Sequence, residues 1–267
     1  MNTIEEQHFN QKPIGVFDSG IGGTSIWKEI VALLSNENSI YLADSANAPY
    51  GLKSKDEIIA LCEKNTELLL SKNSKLIVVA CNTATTNAIQ HLRAKYTIPF
   101  IGIEPAIKPA LLKTKTNTIG ILATKGTLAS DLFHKTAKLW SKNIKIIEQD
   151  GSGIVELIEN GKINSKKMLA LLKQYMLPMQ KHSIDYLVLG CSHYPYLIPK
   201  LSKILSEKVK IIDSGLAVAQ QTKKVLESNG LLNSIERKPT HIFYSNGNPS
   251  VLSTILKNSQ KVEYLKF

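Results

Sequence analysis

The chain has 267 residues, 43% hydrophobic and 21% charged, which excludes disordered and fibrous classes and allows a core without disulfide staples. Lys and Arg outnumber Asp and Glu by 33 to 22, but only Arg93 and Arg237 are arginines and the lysines are scattered, which argues against a nucleic-acid interface, where bidentate readout leans on arginine. No run of 18 apolar residues occurs, residues 1–12 hold no apolar leader and there are three cysteines, so a cytoplasmic protein with free thiols and no membrane partner is expected.

In chain order, residues 1–12 are polar and expected to be flexible. Residues 14–17 (IGVF) read as a buried strand, followed by the loop DSGIGG at 18–23. A helix is predicted over 24–34 with Thr24 as its N-cap, then a strand at 39–43 and a polar loop at 44–51. Residues 54–70 read as a long helix opened by Ser54 with Glu57 three residues on. Residues 76–80 (LIVVA) form a strong strand, 83–95 a helix and 100–103 a strand. The alternation then restarts. Strands are predicted at 118–123, 144–148, 186–189 and 209–212. Helices are predicted at 128–139, 153–160, 165–180, 198–205 and 217–227, with a late strand at 241–244 and a last helix at 249–256. Apolar runs of this kind suit parallel strands covered on both faces.

The expected architecture is therefore α/β, with two similar three-layer lobes, parallel sheets related by pseudo-twofold symmetry and the active site in the cleft between them. The first lobe is assigned to 13–104 plus about 215–267 and the second to 105–214. The crossings fall near 96–106 and 208–217.

An internal echo supports the duplication. Residues 77–83 (IVVACNT) place Cys81 at the end of an apolar strand, and residues 187–193 (LVLGCSH) place Cys191 likewise, 110 residues later. Ligands of open α/β sheets bind at the carboxyl ends of the strands, so two facing lobes would present two thiols across one cleft. A structural zinc needs about four ligands, commonly in close Cys pairs, and a redox pair favours C-x-x-C; neither spacing is present. A Cys–His hydrolase leaves one cysteine unexplained. Inversion of a carbon centre fits better: one thiolate removes a proton from one face while one thiol returns a proton to the other. The polar residues after the strands, Asp18, Ser19, Asn82, Thr83, residues 124–127 and Ser192, supply donors for a small dicarboxylate. Asp18 is placed to take a substrate ammonium or to tune Cys81, and His193 to tune Cys191. Asn82 and Thr83 are also candidate helix caps. Cys62, within a helical run, reads as packing, as do Trp27 and Trp140. His91, His134, His182 and His241 read as surface or packing residues. Gly20, Gly22 and Gly23 lack the order of a dinucleotide loop.

These motifs resemble those of glutamate racemases within the aspartate/glutamate racemase family. Residues 14–23 (IGVFDSGIGG), 43–51 (ADSANAPYG), 79–84 (VACNTA) and 189–195 (LGCSHYP) carry the resemblance, which spans roughly 13–245. It implies a bacterial, cytoplasmic, cofactor-independent and metal-independent isomerase that interconverts L- and D-glutamate for peptidoglycan. Carried over, Cys81 acts on the D-isomer and Cys191 on the L-isomer, flanked by Asp18 and His193. Ser19, Pro49, Tyr50, Gly51, Asn82, Thr83, Thr124 and Ser192 correspond to substrate positions, with Asp18 among them and Thr127 as a further candidate. Ser192 stands where the family usually has Thr, and residues 148–153 (EQDGSG) depart from the family's turn, so Glu148, Asp150 and Glu156 receive no role. The partner expected is the amino-acid substrate, with a homodimer as the default assembly. The alternatives are an aspartate racemase of the same mechanism, a non-catalytic binding protein on the same fold and a thiol redox sensor.

Overall fold

The computed structural model describes residues 9–140 and 143–267, with Trp140 as backbone only. The expectations for residues 1–8 and for the Trp140 side chain lie outside that range. The strands are β1 (Ile14–Asp18), β2 (Ser39–Ala43), β3 (Leu76–Val79), β4 (Phe100–Gly102), β5 (Thr118–Ala123), β6 (Lys145–Asp150), β7 (Tyr186–Gly190), β8 (Lys210–Ile212), β9 (His241–Ser245) and β10 (Val262–Tyr264). The helices are α1 (Thr24–Leu33), α2 (Lys55–Ser71), α3 (Asn82–Lys95), α4 (Ile107–Lys113), α5 (Lys125–Leu128), α6 (Asp131–Trp140), α7 (Ile154–Glu159), α8 (Lys166–Lys181), α9 (Ile198–Ile204), α10 (Gly215–Ser228) and α11 (Pro249–Ile255). Among the described residues, no helix is long and apolar enough to cross a membrane.

Two parallel sheets form. One runs β10-β9-β2-β1-β3-β4 and the other β6-β5-β7-β8. Within the first, the order β2-β1-β3-β4 repeats that of the second, with β5 taking the part of β1 and β7 that of β3. The duplication read from the two cysteine motifs is thus a duplication of topology. Cys81 follows β3 and Cys191 follows β7, at equivalent ends.

Alternation along each strand explains the layers. Ile14, Val16, Leu76 and Val78 pack with Ile26, Trp27 and Ile30 of α1 and with Val218 and Leu226 of α10. Phe17, Ile77 and Val79 point the other way, onto Ile58, Cys62 and Leu69 of α2 and Ala84, Ala88 and Leu92 of α3. In the second sheet Ile119, Ile121 and Val188 face α4 and α6 through Ile107, Leu111 and Phe133. Leu122, Leu187 and Leu189 face α7, α8 and α9. Each such side chain contributes about 1.5–3 kcal/mol on burial.

Local signals placed most helix ends. Ser54 and Glu57 form the expected capping box at the start of α2. Thr24 is not the N-cap of α1; Gly23 is, and the Thr24 hydroxyl instead donates to the Ile21 carbonyl at 2.6 Å. Asn82 and Thr83 are already inside α3, whose N-cap is Cys81. The late strand β9 pairs in parallel with β2, and β10, not expected from the sequence, extends that edge. The two crossings meet where the Ser214 hydroxyl donates to the Glu104 carbonyl.

The returning segment is pinned by one buried ion pair. Lys75 Nζ lies 2.5 Å from Glu37 Oε2, both side chains almost wholly buried. Lys75 also donates to the carbonyls of Asn10 and Leu231, and Glu37 Oε1 accepts the Asn233 N–H at 2.8 Å. The pair ties residues 10, 37, 75 and 231–233 to one point. Removing one partner of a buried pair costs about 3–5 kcal/mol. Lys75→Met is expected to lower unfolding stability by about that amount in a urea titration; a loss below about 1 kcal/mol would show that the pair is not what holds the segment.

Candidate active site

The first thiol is set by a strand-to-helix turn. Ala80 N–H continues the ladder onto Phe17 O, and the chain then turns so that Cys81 caps α3. Its Sγ accepts the Ala84 N–H at 3.4 Å and the thiol donates to Ser19 Oγ at 3.5 Å. Burial pushes the Cys81 thiol well above its ordinary range, and the Asp18 carboxylate adds to that shift. The α3 N-terminus and the Ser19 contact act in the opposite sense.

The second thiol has a different service. Cys191 Sγ lies 3.7 Å from His193 Nδ1, and His193 Nε2 lies 2.5 Å from Glu159 Oε1. Burial pulls the imidazole down, but the bonds to Cys191 and Glu159 outweigh it and hold His193 well above its usual range. Glu159 is a functional side chain that the sequence reading missed. It sits in the last turn of α7, where a carboxylate is unfavourable against the helix dipole. There it accepts the Ile21 N–H at 2.7 Å and the Ser45 hydroxyl at 2.8 Å as well as facing His193.

Asp18 ends β1 and is fully buried. One oxygen accepts the Gly20 and Gly23 N–H groups at 3.2 and 3.0 Å, and the other accepts the Ser192 hydroxyl at 3.1 Å. Its carboxyl is pushed up to about 6, chiefly by burial and against the pull of His193. Asp18 therefore stands behind the pocket, joining the lobes, and acts on Cys81 through its charge.

The glycines of the DSGIGG loop make room for these groups. A Cβ on Gly20 would lie 2.0 Å from the Glu159 carboxylate, and one on Gly22 would lie 2.2 Å from His193 Nδ1. Close approach of side chains, not of a phosphate, accounts for the glycine-rich run.

Both cysteines line one narrow cavity between the sheets. Ser19, Asn82, Thr83 and Thr124 line it, as do Pro49, Tyr50, Gly51, Ser192 and His193. Of the residues expected there from the sequence, Asp18 and the further candidate Thr127 do not line it, and Val155 is an addition. Asn82 is notable, because both polar atoms of its buried carboxamide lack a hydrogen-bond partner. Such a group costs about 1–3 kcal/mol unless something pairs with it. The hydroxyls of Thr83 and Thr124 meet across the cleft at 2.9 Å, with Thr127 closing a triangle at 3.0 and 3.3 Å. Gly126 approaches Gly51 closely enough that a Cβ would lie 3.0 Å from the Gly51 Cα. Asp150, Gly151, Ser152 and Glu156 border a neighbouring recess with Pro49 and Gly51. Cys62 is buried within the first lobe's core and away from this cavity. Among the described residues, no group of three or more His, Cys, Asp or Glu is arranged to hold a metal.

Residues 14–222 match the family profile of Asp/Glu/Hydantoin racemases. The chain belongs to that family. Within the family, a glutamate racemase of Herpetosiphon aurantiacus is 41% identical over 244 residues, covering 91% of this chain and 96% of that one. The glutamate racemase of Francisella tularensis, solved with D-glutamate, superposes with a TM-score of 0.82 at 32% identity, covering 96% and 98% of the two chains. That of Escherichia coli, solved with L-glutamate and the activator UDP-MurNAc-ala, gives 0.85 at 31% identity, covering 95% and 98%.

The glycine contacts generate a direct test. Gly22→Ala is expected to drive the imidazole away from Cys191 and to cut turnover about 10²-fold, as misplacing a group by an ångström does. Far-UV circular dichroism should stay native. Turnover within twofold of the parent would show that the imidazole needs no such clearance.

Proposed function

We propose that this cleft racemises glutamate, with Cys81 and Cys191 as the two acid–base groups. The observation that carries the reading is a pair of thiols at equivalent strand ends of two repeated sheets, lining one cavity. Curated relatives about 40% identical over most of their length are glutamate racemases, and relatives in two solved structures hold D- or L-glutamate. These favour glutamate over aspartate and an enzyme over a binding protein.

In the L-to-D direction, the Cys191 thiolate takes the α-proton and the Cys81 thiol gives its proton to the opposite face. The product leaves with Cys191 as thiol and Cys81 as thiolate; the reverse direction exchanges the roles. Protons and charge balance without any electron transfer. The environments of the two thiols fit this poise. His193, held charged beside Glu159, faces the Cys191 sulfur, whereas burial and the nearby Asp18 charge hold the proton on Cys81. The α-proton is very weakly acidic, so the carbanion-like species needs more than proton transfer. Preorganised donors that make no bond until substrate arrives supply this. The unpaired Asn82 carboxamide is such a group; Ser19, Thr83, Thr124, Ser192 and backbone N–H groups, already held in place by their neighbours, complete the surroundings of the two carboxylates. Pro49, Tyr50 and Gly51 wall the cavity against water. The lobes assigned to 13–104 plus about 215–267 and to 105–214 then part to admit substrate. A cytoplasmic setting, supply of D-glutamate for peptidoglycan and a homodimer belong to the same reading; sedimentation velocity checks the last.

Two outcomes are expected. D-glutamate in D₂O, followed by circular dichroism and by NMR at Cα, should lose optical activity as deuterium enters. Cys81→Ala and Cys191→Ala should each lower this by at least about 10²–10⁴-fold. Turnover of aspartate without glutamate would move the substrate and keep the chemistry; no turnover of either would end the enzyme reading. The second outcome concerns pH. Asp18 takes up a proton as pH falls through about 6, and its ionised form is the one that accepts from Gly20, Gly23 and Ser192. Activity should therefore fall below about pH 6, with Asp18→Asn lower at all pH values and lacking that limb. An acid limb that survives in Asp18→Asn would assign it to another group.

A further inference from the structure

The loop after β2 bears on the cavity indirectly at one end and directly at the other. Ser45 donates to Glu159, and Tyr50 with Gly51 forms part of the wall. The loop's own support comes from the far end of the chain. Asn246 follows β9 directly and is more than nine-tenths buried. Its Nδ2 donates to Asp44 Oδ1 at 2.5 Å, its Oδ1 accepts the Ala46 N–H at 2.9 Å, and its own N–H donates to the Ala43 carbonyl at 3.3 Å. Asp44 also accepts from Asn47 Nδ2 at 2.7 Å and from the Tyr50 hydroxyl. That hydroxyl in turn accepts from Asn65 Nδ2 at 3.1 Å. Gly247 passes so near the loop that a Cβ there would lie 2.7 Å from Ser45 Cβ. Asn246 is not among the residues lining the cysteine cavity and makes no hydrogen bond to either thiol.

We propose that Asn246 is a positioning residue for the reaction: its carboxamide fixes the 45–51 loop, and with it the wall that Pro49, Tyr50 and Gly51 give the cavity. The inference rests on the glutamate reading above for its kinetic consequence. Without this side chain, Asp44 Oδ1 keeps only the Asn47 donor and the Ala46 N–H has no acceptor. A buried carboxylate short of donors and a buried N–H without a partner each favour a looser loop that water can reach. A wall that touches substrate in ground state and transition state alike governs KM more than kcat.

The test compares Asn246→Ala with Asn233→Ala. Asn233 lies in the same returning segment, where its side chain bonds the Asn36 carbonyl and the Ile235 N–H, away from the loop. Asn246→Ala is expected to raise KM for glutamate at least about tenfold with kcat within about threefold. It should also speed deuterium exchange of the backbone amides at 45–52 at least about tenfold. Asn233→Ala should lower the thermal midpoint comparably and leave KM and that exchange within about twofold. Asn246→Asp keeps the acceptor for Ala46 and sets a second carboxyl against Asp44. The donor to Asp44 is then lost, so loop protection should fall as it does in Asn246→Ala. Equal effects of the two alanine variants, or no effect of Asn246→Ala on KM and exchange, would overturn the proposal. If the parent protein does not turn over glutamate, the substrate reading fails while the exchange comparison still decides the loop.

Discussion

Three segments converge on the carboxylate of Glu159. It holds the β1–α1 loop through Ile21, the β2–α2 loop through Ser45 and the second cysteine motif through His193. Two of these belong to the first sheet's side of the cleft and one to the second. A largely enclosed carboxyl group at the carboxyl end of a helix is unfavourable by itself, and here donors surround it. The bare Cα of Gly20 and the direction of the His193 ring both accommodate that one group. Asp18 performs a related task on the other flank, where two glycine N–H groups and a hydroxyl from across the cleft meet one carboxylate.

Much of this was legible in the sequence. Apolar strands ending in Cys81 and Cys191 gave away the duplicated parallel sheets, because strands buried on both faces carry no alternation and leave their polar residues to the carboxyl end. The capping box at Ser54 and Glu57 was readable because it is local. Glu159 was not. It lies 138 residues from Ile21 and 34 from His193, and on its own helix it occupies the ordinary polar face opposite Ile154, Leu157 and Ile158. Nothing in a periodic pattern distinguishes a glutamate that meets solvent from one that meets a histidine. Thr24 was misread for a similar reason. A hydroxyl at a predicted helix start looks like a cap, yet this one donates to the Ile21 carbonyl and meets the Tyr196 hydroxyl from the opposite lobe. Strand β10 escaped notice because it is three residues long at a sheet edge, where few apolar side chains are needed.

The two halves share strand order but not their thiol environments. In the first half a helix N-terminus addresses Cys81; in the second, a histidine backed by a carboxylate addresses Cys191. The first half also carries an addition that the second lacks, the returning segment with β9 and β10. Its attachment is polar at both ends, through Lys75 and Glu37 below the sheet and through Asn246 and Asp44 above it. Such contacts fix geometry more sharply than an apolar surface, since a buried donor without its acceptor has no alternative partner.

The seam between Gly51 and Gly126 has a bearing on how the cleft works as a gate. Its surfaces include peptide backbone at Gly51 and Gly126 and the hydroxyls of Thr83, Thr124 and Thr127. When the faces part, water replaces each hydroxyl contact, whose net worth is only about 0.5–1.5 kcal/mol. A latch made this way releases easily and reseats without misregister, because hydroxyls re-pair over a short range whereas interdigitated side chains must repack. The energy that keeps the gate shut is then set by what lies inside: an occupant bridging both lobes adds bonds that the empty seam does not have.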